Sequence, residues 1–236
     1  DRALINRMGF AGRGAQHAAR QLPAARPRGV ILGVNLGKNK DTPLEQAAED
    51  YVKMLPVFAP LVDYLAINIS SPNTVGLRRL QSKQSLQSLL EAVLPEARRE
   101  AFRVGRRVPV LVKLAPDLSD AELDDALDVL MACGVDGVIA TNTTLSREGL
   151  KSKWAGESGG MSGAPLAARS TAMIADIERH TEGKLPIIGV GGIMNAEDVR
   201  AKLDAGAVLV QVYTGLVYRG PGLVREILRN LDYQKA

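Results

Sequence analysis

Amides and hydroxyls crowd one short stretch of the chain: Asn68-Ile-Ser-Ser-Pro-Asn-Thr-Val-Gly76 follows an apolar run, with Gly76 available as a hinge. Such side chains hydrogen-bond a small carboxylated or amide-bearing ring without needing charge, although a plain turn accounts for Ser, Pro and Asn equally well in isolation. A second cluster, Thr141-Asn-Thr-Thr144, closes another apolar run and makes the plain-turn reading harder to keep. Lys113 lies near the end of a third run, Pro109 to Leu114, where an ammonium either points into a shared mouth or pairs with a neighbouring acid. Two glycine-rich stretches, Gly189-Val-Gly-Gly-Ile193 and Tyr213-Thr-Gly215, let backbone N–H groups approach an anion closely, with the Thr214 hydroxyl as a further donor. Either these glycines merely turn tightly or the pair of loops binds a phosphate, and two in tandem favour phosphate.

These groups act together only if the chain brings them to one place. Short β-rich runs occur at Val30 to Asn35, Tyr64 to Ile69, Val110 to Leu114, Gly137 to Thr141, Ile187 to Val190 and Val208 to Tyr213. They are apolar without alternation, as expected of parallel strands covered on both faces. Helical patterns fill the intervals. Thr42-Pro43 reads as an N-cap followed by Pro at the first helical position, Ser119 to Glu122 has capping-box spacing, and Asn195 opens a helix that Gly206 ends. The pattern is βα repeated six times, with one more helix after the last strand. Repeated βαβ units permit an open sheet or a closed barrel. Nearly every strand ends in a polar or glycine-rich cluster, namely Asn35, Asn68, Lys113, Thr141 with Asn142, Gly191-Gly192 and Tyr213 to Gly215. A barrel converges such ends on one mouth, so the expectation is α/β, a (β/α)8 barrel. Eight units typically occupy about 250 residues, so this barrel is expected to be incomplete, with six of eight strands in a single domain over 1–236.

Composition removes other classes. The net charge of +4 is local, because residues 1–30 hold six arginines (2, 7, 13, 20, 26 and 28) against Asp1. That arm either faces an anionic surface or is simply solvated. Aromatics make up 4% of the chain and none interleave with the arginines to stack on bases, which argues against nucleic acid. No apolar run approaches the ~20 residues of a membrane span, and no signal peptide opens the chain, so it is expected to be soluble. The single Cys133 excludes an internal disulfide framework and is expected to be a buried structural thiol. His17 and His180 lie on helical segments rather than at strand ends, which disfavours a histidine triad or a histidine-bound metal. No P-loop or dinucleotide fingerprint occurs.

In order along the chain, INRMGF (5–10), GVNLGKNKDT (33–42), INISSPNTVGLRRLQ (67–81), VLVKLAPDLS (110–119), ATNTT (140–144), GGMSG (159–163), IIGVGGI (187–193) and VYTGLVYRGP (212–221) resemble the class 2 dihydroorotate dehydrogenases. The resemblance implies a (β/α)8 barrel with FMN across its mouth, oxidising dihydroorotate to orotate in pyrimidine biosynthesis and passing electrons to a membrane quinone. It implies Ser71 as the base that takes the C5 proton while hydride leaves C6, with Thr74 as the candidate relay. It implies Asn6, Asn68, Asn73, Asn142 and Thr143 around dihydroorotate. Asn35, Asn68, Lys113 and Thr141 are implied at the flavin ring and ribityl chain, where a cation near the pyrimidine edge steadies the charge that builds on reduction. Ser162, Gly163, Gly191, Gly192, Tyr213 and Thr214 are implied at the phosphate, with Tyr213 also bordering the quinone approach. Serine in SSPNT, where class 1 members use cysteine, marks class 2, and this stretch resembles the family's lid over the substrate.

Two departures qualify the match. Ala11-Gly-Arg13 follows the GF pair where the family usually has polar, asparagine-like residues. The family's first two strands, a flavin-facing lysine and the helices that dock on the membrane have no counterpart after Asp1, so this chain alone is expected to bind FMN weakly or not at all and to lack turnover. The parent protein is expected peripherally on the inner, cytoplasmic membrane. Two other expectations compete: a flavin-free, phosphate-binding isomerase or aldolase with Lys113 as Schiff-base nucleophile, and a non-enzymatic module that binds anionic surfaces through residues 1–30.

Overall fold

A computed structural model describes residues 1–22 and 29–231. Arg26 and Arg28 of the basic arm lie outside the described residues. In chain order the strands are β1 (Ala3–Asn6), β2 (Gly33–Leu36), β3 (Tyr64–Asn68), β4 (Val110–Leu114), β5 (Gly137–Ala140), β6 (Gly160–Gly163), β7 (Ile187–Val190) and β8 (Ala207–Gln211). The helices are α1 (Ala15–Gln21), α2 (Ala47–Phe58), α3 (Lys83–Arg103), α4 (Asp120–Cys133), α5 (Ala167–Thr181), α6 (Ala196–Asp204), α7 (Thr214–Arg219) and α8 (Gly222–Asn230). The chain forms two compact units, one of residues 8–114 and 119–138, the other of 1–7, 115–118 and 139–236.

In the first unit β2 pairs with β3 and β3 with β4, both parallel. The crossover helices bury their apolar faces on these strands. Tyr51 and Leu55 of α2, Leu86 and Leu90 of α3, and Leu127 and Leu130 of α4 have essentially no exposed surface. Their spacing of three or four residues puts each pair on one helical face. Acidic residues set where strands begin. Asp63, just before β3, takes the Leu32 N–H on its carboxylate at 2.7 Å and returns its own N–H to Leu32 O at 2.7 Å. Asp136 makes the same double link to Val110, at 2.8 and 3.0 Å. The capping box expected at Ser119 is present, with the Glu122 carboxylate accepting the Ser119 N–H and the serine oxygen accepting the Glu122 N–H.

In the second unit β7 and β8 are parallel, and β1 pairs antiparallel with β6 in the register Asn6↔Gly160 to Ala3↔Gly163. The core gathers Met173, Ile174 and Ile177 of α5 with Ile187 of β7, while Ile193, Val199, Leu223 and Ile227 form a second cluster under α6 and α8. Asn195 caps α6 in a second full capping box, closed by Asp198.

Several expectations need correction. The helix expected to start at Thr42 and Pro43 begins instead with a 3-10 turn, Leu44–Gln46, and Thr42 caps nothing. Its backbone carbonyl accepts the Lys38 ammonium at 2.5 Å, which closes the turn that leads into the helix. Cys133 is half-buried, not buried: it follows Val129 and Leu130 on the covered face of α4, but it is the last residue of the helix, where cover runs out. Covered faces hold for β3, β4 and β5 but fail for β8, where Val208 and Leu209 are 60% and 58% exposed. That strand pairs with β7 alone among the described residues. The pair β1 and β6 was not anticipated from the sequence.

Candidate functional site

The residues singled out by type and spacing fall into two sets, one in each unit. In the unit holding β2 to β4, Asn68 and Lys113 are register partners at the ends of adjacent strands. Asn68 is 5% exposed, and its side-chain oxygen accepts both the Ser70 N–H and the Ser70 hydroxyl at 3.2 Å. These bonds fold the chain back as it leaves β3, the local structure that Asx residues favour after a strand. Arg78 donates to Ser70 O at 3.0 Å and pins the loop from its far side. Ser71, 8% exposed, accepts the Asn73 N–H at 3.2 Å, so Asn68, Ser71 and Asn73 are held in one hydrogen-bonded turn. Thr74 is buried on the same loop and Gly76 has φ 72°, a left-handed conformation that glycine adopts freely. Asn35 stands one strand over, opposite Ala66, and is exposed.

Lys113 has no acid or hydrogen-bond acceptor among the described residues, which overturns the ion-pair reading. Part of the residue's surface is open, but the ammonium is set deep enough in protein that desolvation pushes its pKa down to about 8. A cation held near a strand end with no protein counter-charge is suited to an anionic or electron-accepting ligand.

In the other unit the second set is equally connected. Asn6 donates to Gly160 O at 3.4 Å along the β1–β6 pairing. Thr144 and Met161 exchange backbone hydrogen bonds of 3.0 and 2.7 Å, so the Thr141 to Thr144 loop is tied to β6. Asn142 accepts the Thr143 N–H at 2.8 Å, and Thr141 donates its N–H to Val190 O at 2.8 Å, linking the loop to the end of β7. The Ala140–Thr141 peptide is cis. Thr214 donates to Ser162 Oγ at 2.8 Å. Gly163, Gly191 and Gly192 have φ of 102°, 128° and 75°. A Cβ on Gly163 would lie 2.3 Å from Arg2 O, and one on Gly192 would lie 2.4 Å from the Ala167 Cα at the start of α5. Only glycine fits there, which leaves a turn of bare backbone beside two hydroxyls, the make-up of an anion cradle. These residues fit a phosphate monoester. Tyr213, by contrast, is 69% exposed, a better match to a surface that meets a second reactant than to a phosphate ligand.

Some supporting residues were invisible to sequence reasoning. Tyr51 is fully buried on α2 and its hydroxyl donates to Asn68 O at 2.9 Å, while burial raises its pKa far enough to keep it a donor. Arg169 donates to Pro116 O and Leu118 O, both at 2.8 Å, and the Asp117 carboxylate between them accepts the Thr144 hydroxyl and the Leu145 N–H. Spacing flagged none of the three, because each bonds to a segment remote in sequence.

The alternation of strand and helix, with polar groups after the strands and a glycine turn after β7, defines a protein of the α/β-barrel class. Comparison with known proteins bears out that class. The dihydroorotate dehydrogenase family profile matches residues 1–234. The dihydroorotate dehydrogenase (quinone) of Idiomarina loihiensis is 51% identical over 231 residues, which are 98% of this chain and 69% of that protein. That of Acidithiobacillus ferrooxidans is 53% identical over 97% of this chain and 64% of its own length. A crystal structure of the ligand-free enzyme from Eimeria tenella superposes with a TM-score of 0.88 at 40% identity, covering 98% of this chain and 69% of that one. The chain belongs to the dihydroorotate dehydrogenase family and spans about two thirds of the length of these relatives.

Proposed function

We propose that this chain is part of a class 2 dihydroorotate dehydrogenase, an FMN enzyme that oxidises dihydroorotate to orotate for pyrimidine synthesis and passes the electrons to a quinone. The observation that carries the reading is the buried Ser71 turn beside the register pair Asn68 and Lys113. Relatives about 50% identical are named as dihydroorotate dehydrogenase (quinone), which supports it. Bound FMN supplies the hydride acceptor. Ser71 accepts a hydrogen bond from Asn73 N–H, which orients its oxygen and leaves it a lone pair for the C5 proton of the substrate. A hydroxyl is a weak base at its ordinary pKa, so the proton passes onward, and Thr74 on the same loop is the candidate. Asn6, Asn68, Asn73, Asn142 and Thr143 hydrogen-bond dihydroorotate. Lys113, Asn35 and Thr141 serve the flavin ring and ribityl chain, and Ser162, Gly163, Gly191, Gly192 and Thr214 its phosphate. The exposed Tyr213 borders the quinone approach. No helix among the described residues is long and apolar enough to cross a membrane. Peripheral association with the inner membrane is proposed from the quinone-linked names of the relatives.

The test is anaerobic mixing of the flavin-loaded full-length protein with dihydroorotate, following flavin absorbance. Ser71→Ala is expected to slow flavin reduction by about 100-fold or more while dihydroorotate still binds. Reduction at the wild-type rate removes Ser71 as base, and a preparation that takes up no flavin removes the cofactor reading.

A further inference from the structure

Lys202 is the one charged residue among the largest fully buried side chains, with 1% of its surface exposed, and nothing in the reading above uses it. It projects from α6 toward α5, where its ammonium lies 3.0 Å from Ser170 Oγ and 3.2 Å from Thr171 Oγ1. An ammonium has donors only, so Ser170 must accept from it, and the serine's own hydrogen is then committed elsewhere. It goes to the backbone carbonyl of Val190 at 2.6 Å. The same carbonyl receives the Thr141 N–H at 2.8 Å, and the next two residues are Gly191 and Gly192. Packing follows the same path. A Cβ on Gly189 would lie 3.2 Å from Lys202 Cδ, and one on Gly191 would lie 3.0 Å from Ser170 Cβ. The lysine and serine therefore press on both sides of Val190.

Holding a cation there is unfavourable in itself. Burial pushes the Lys202 pKa down to about 8, with only the Asp198 carboxylate opposing, whereas a methionine would fill similar volume with no charge to desolvate. A cavity of about 300 Å³ between α5 and α6, lined by Thr171, Asp198 and small alanines, adjoins the lysine, so close packing does not demand its length.

We propose that Lys202, acting through Ser170, is a positioning residue for the Val190 to Gly192 turn: it fixes the direction of the Ser170 hydroxyl, which holds the turn in the conformation that receives the phosphate of the flavin nucleotide. The inference rests on the cofactor reading above and concerns the phosphate alone. It is tested by titrating the flavin-stripped full-length protein with FMN and with riboflavin, which carries the same ring without the phosphate, and following flavin fluorescence. Wild-type protein is expected to favour FMN. Lys202→Met and Ser170→Ala are each expected to weaken FMN by about tenfold and riboflavin by less than about threefold. The double variant should be no weaker than the worse single one, because the two residues act in series. Thr171→Ala, which removes the other acceptor of Lys202 but none of the contacts to Val190, should leave both flavins unchanged. Should Lys202→Met fail to fold, Ser170→Ala, which keeps the lysine, decides the matter. Equal losses for the two flavins, or unchanged FMN affinity in Ser170→Ala, overturn the proposal. A wild-type protein that does not distinguish FMN from riboflavin overturns the phosphate assignment beneath it.

Discussion

Lys113 shows how a single side chain can serve function at the expense of stability. Its folded pKa is about 8, against 10.5 for an ordinary lysine, and the cause is desolvation alone. Between those values the unfolded chain binds more protons than the folded one, so stability rises with pH across that window. Below about pH 8 both states are charged and the penalty is constant, on the order of 3 kcal/mol; above pH 10.5 it is gone. Lys113→Met is therefore expected to raise the urea midpoint at pH 7, with the gain shrinking as pH approaches 10, while flavin reduction by dihydroorotate slows. An unchanged or lower midpoint at pH 7 would reject this account. Lys202 shifts in the same direction, so the variant keeps part of the wild-type rise with pH. Ser71, Asn68 and Lys113 were legible in the sequence because they are polar types placed at the ends of apolar runs. Tyr51 was not, because Ala47, Tyr51 and Leu55 read as one apolar face and nothing in that spacing shows a hydroxyl reaching Asn68 O.

Elements were legible where the signal is local. β4 and β7 coincide with the expected runs to the residue, since turn residues bound them on both sides. Both expected helix starts at Ser119 and Asn195 carry full capping boxes, because a cap needs only its own first turn. β1 and β6 escaped notice: each has four residues, β6 is Gly-Met-Ser-Gly, and their pairing joins segments over 150 residues apart. The start of α2 was misplaced because the Lys38 ammonium, not a cap, organises Thr42. The capping box of α6 yields a prediction at this scale. Asn195 accepts the Asp198 N–H at 2.9 Å, and the Asp198 carboxylate accepts the N–H groups of both Met194 and Asn195, at 2.7 and 3.2 Å. Asn195→Ala is expected to lower the unfolding free energy by about 1 kcal/mol, and Asn195→Ser to restore most of it. Equal stabilities for Ala and Ser in urea titrations would show that the cap contributes nothing.

For the whole molecule, the repeating strand and helix pattern was enough to reach the fold class, since a run buried on both faces implies crossover helices. It could not show which strands lie at an edge, because β8 reads as apolar as β7. On β8, Val208 and Leu209 leave most of their surface to solvent, as do Val217 of α7 and Leu228 of α8. The outer side of β8 pairs with no described strand. An apolar strand with one free edge is a template for pairing with another chain, and natural edges are usually blunted by charge, proline or a bulge. The β7–β8 register runs from Ile187↔Ala207 to Ile188↔Leu209, so the bulged residue is Val208, on β8 itself. Beyond it Leu209 to Gln211 pair regularly with β7, and their outer edge stays open among the described strands. The 236-residue chain is accordingly expected to self-associate through β8, its weight-average mass rising with concentration in sedimentation velocity. Val208→Lys places an ammonium on that strand at the position with the larger exposure, where it meets water rather than core and so leaves folding intact. The variant should sediment as a monomer over the concentrations at which the unsubstituted chain associates, with an unchanged far-ultraviolet circular dichroism spectrum. If both chains sediment alike, whether as monomers or as the same oligomer, the free edge of β8 is not what drives association.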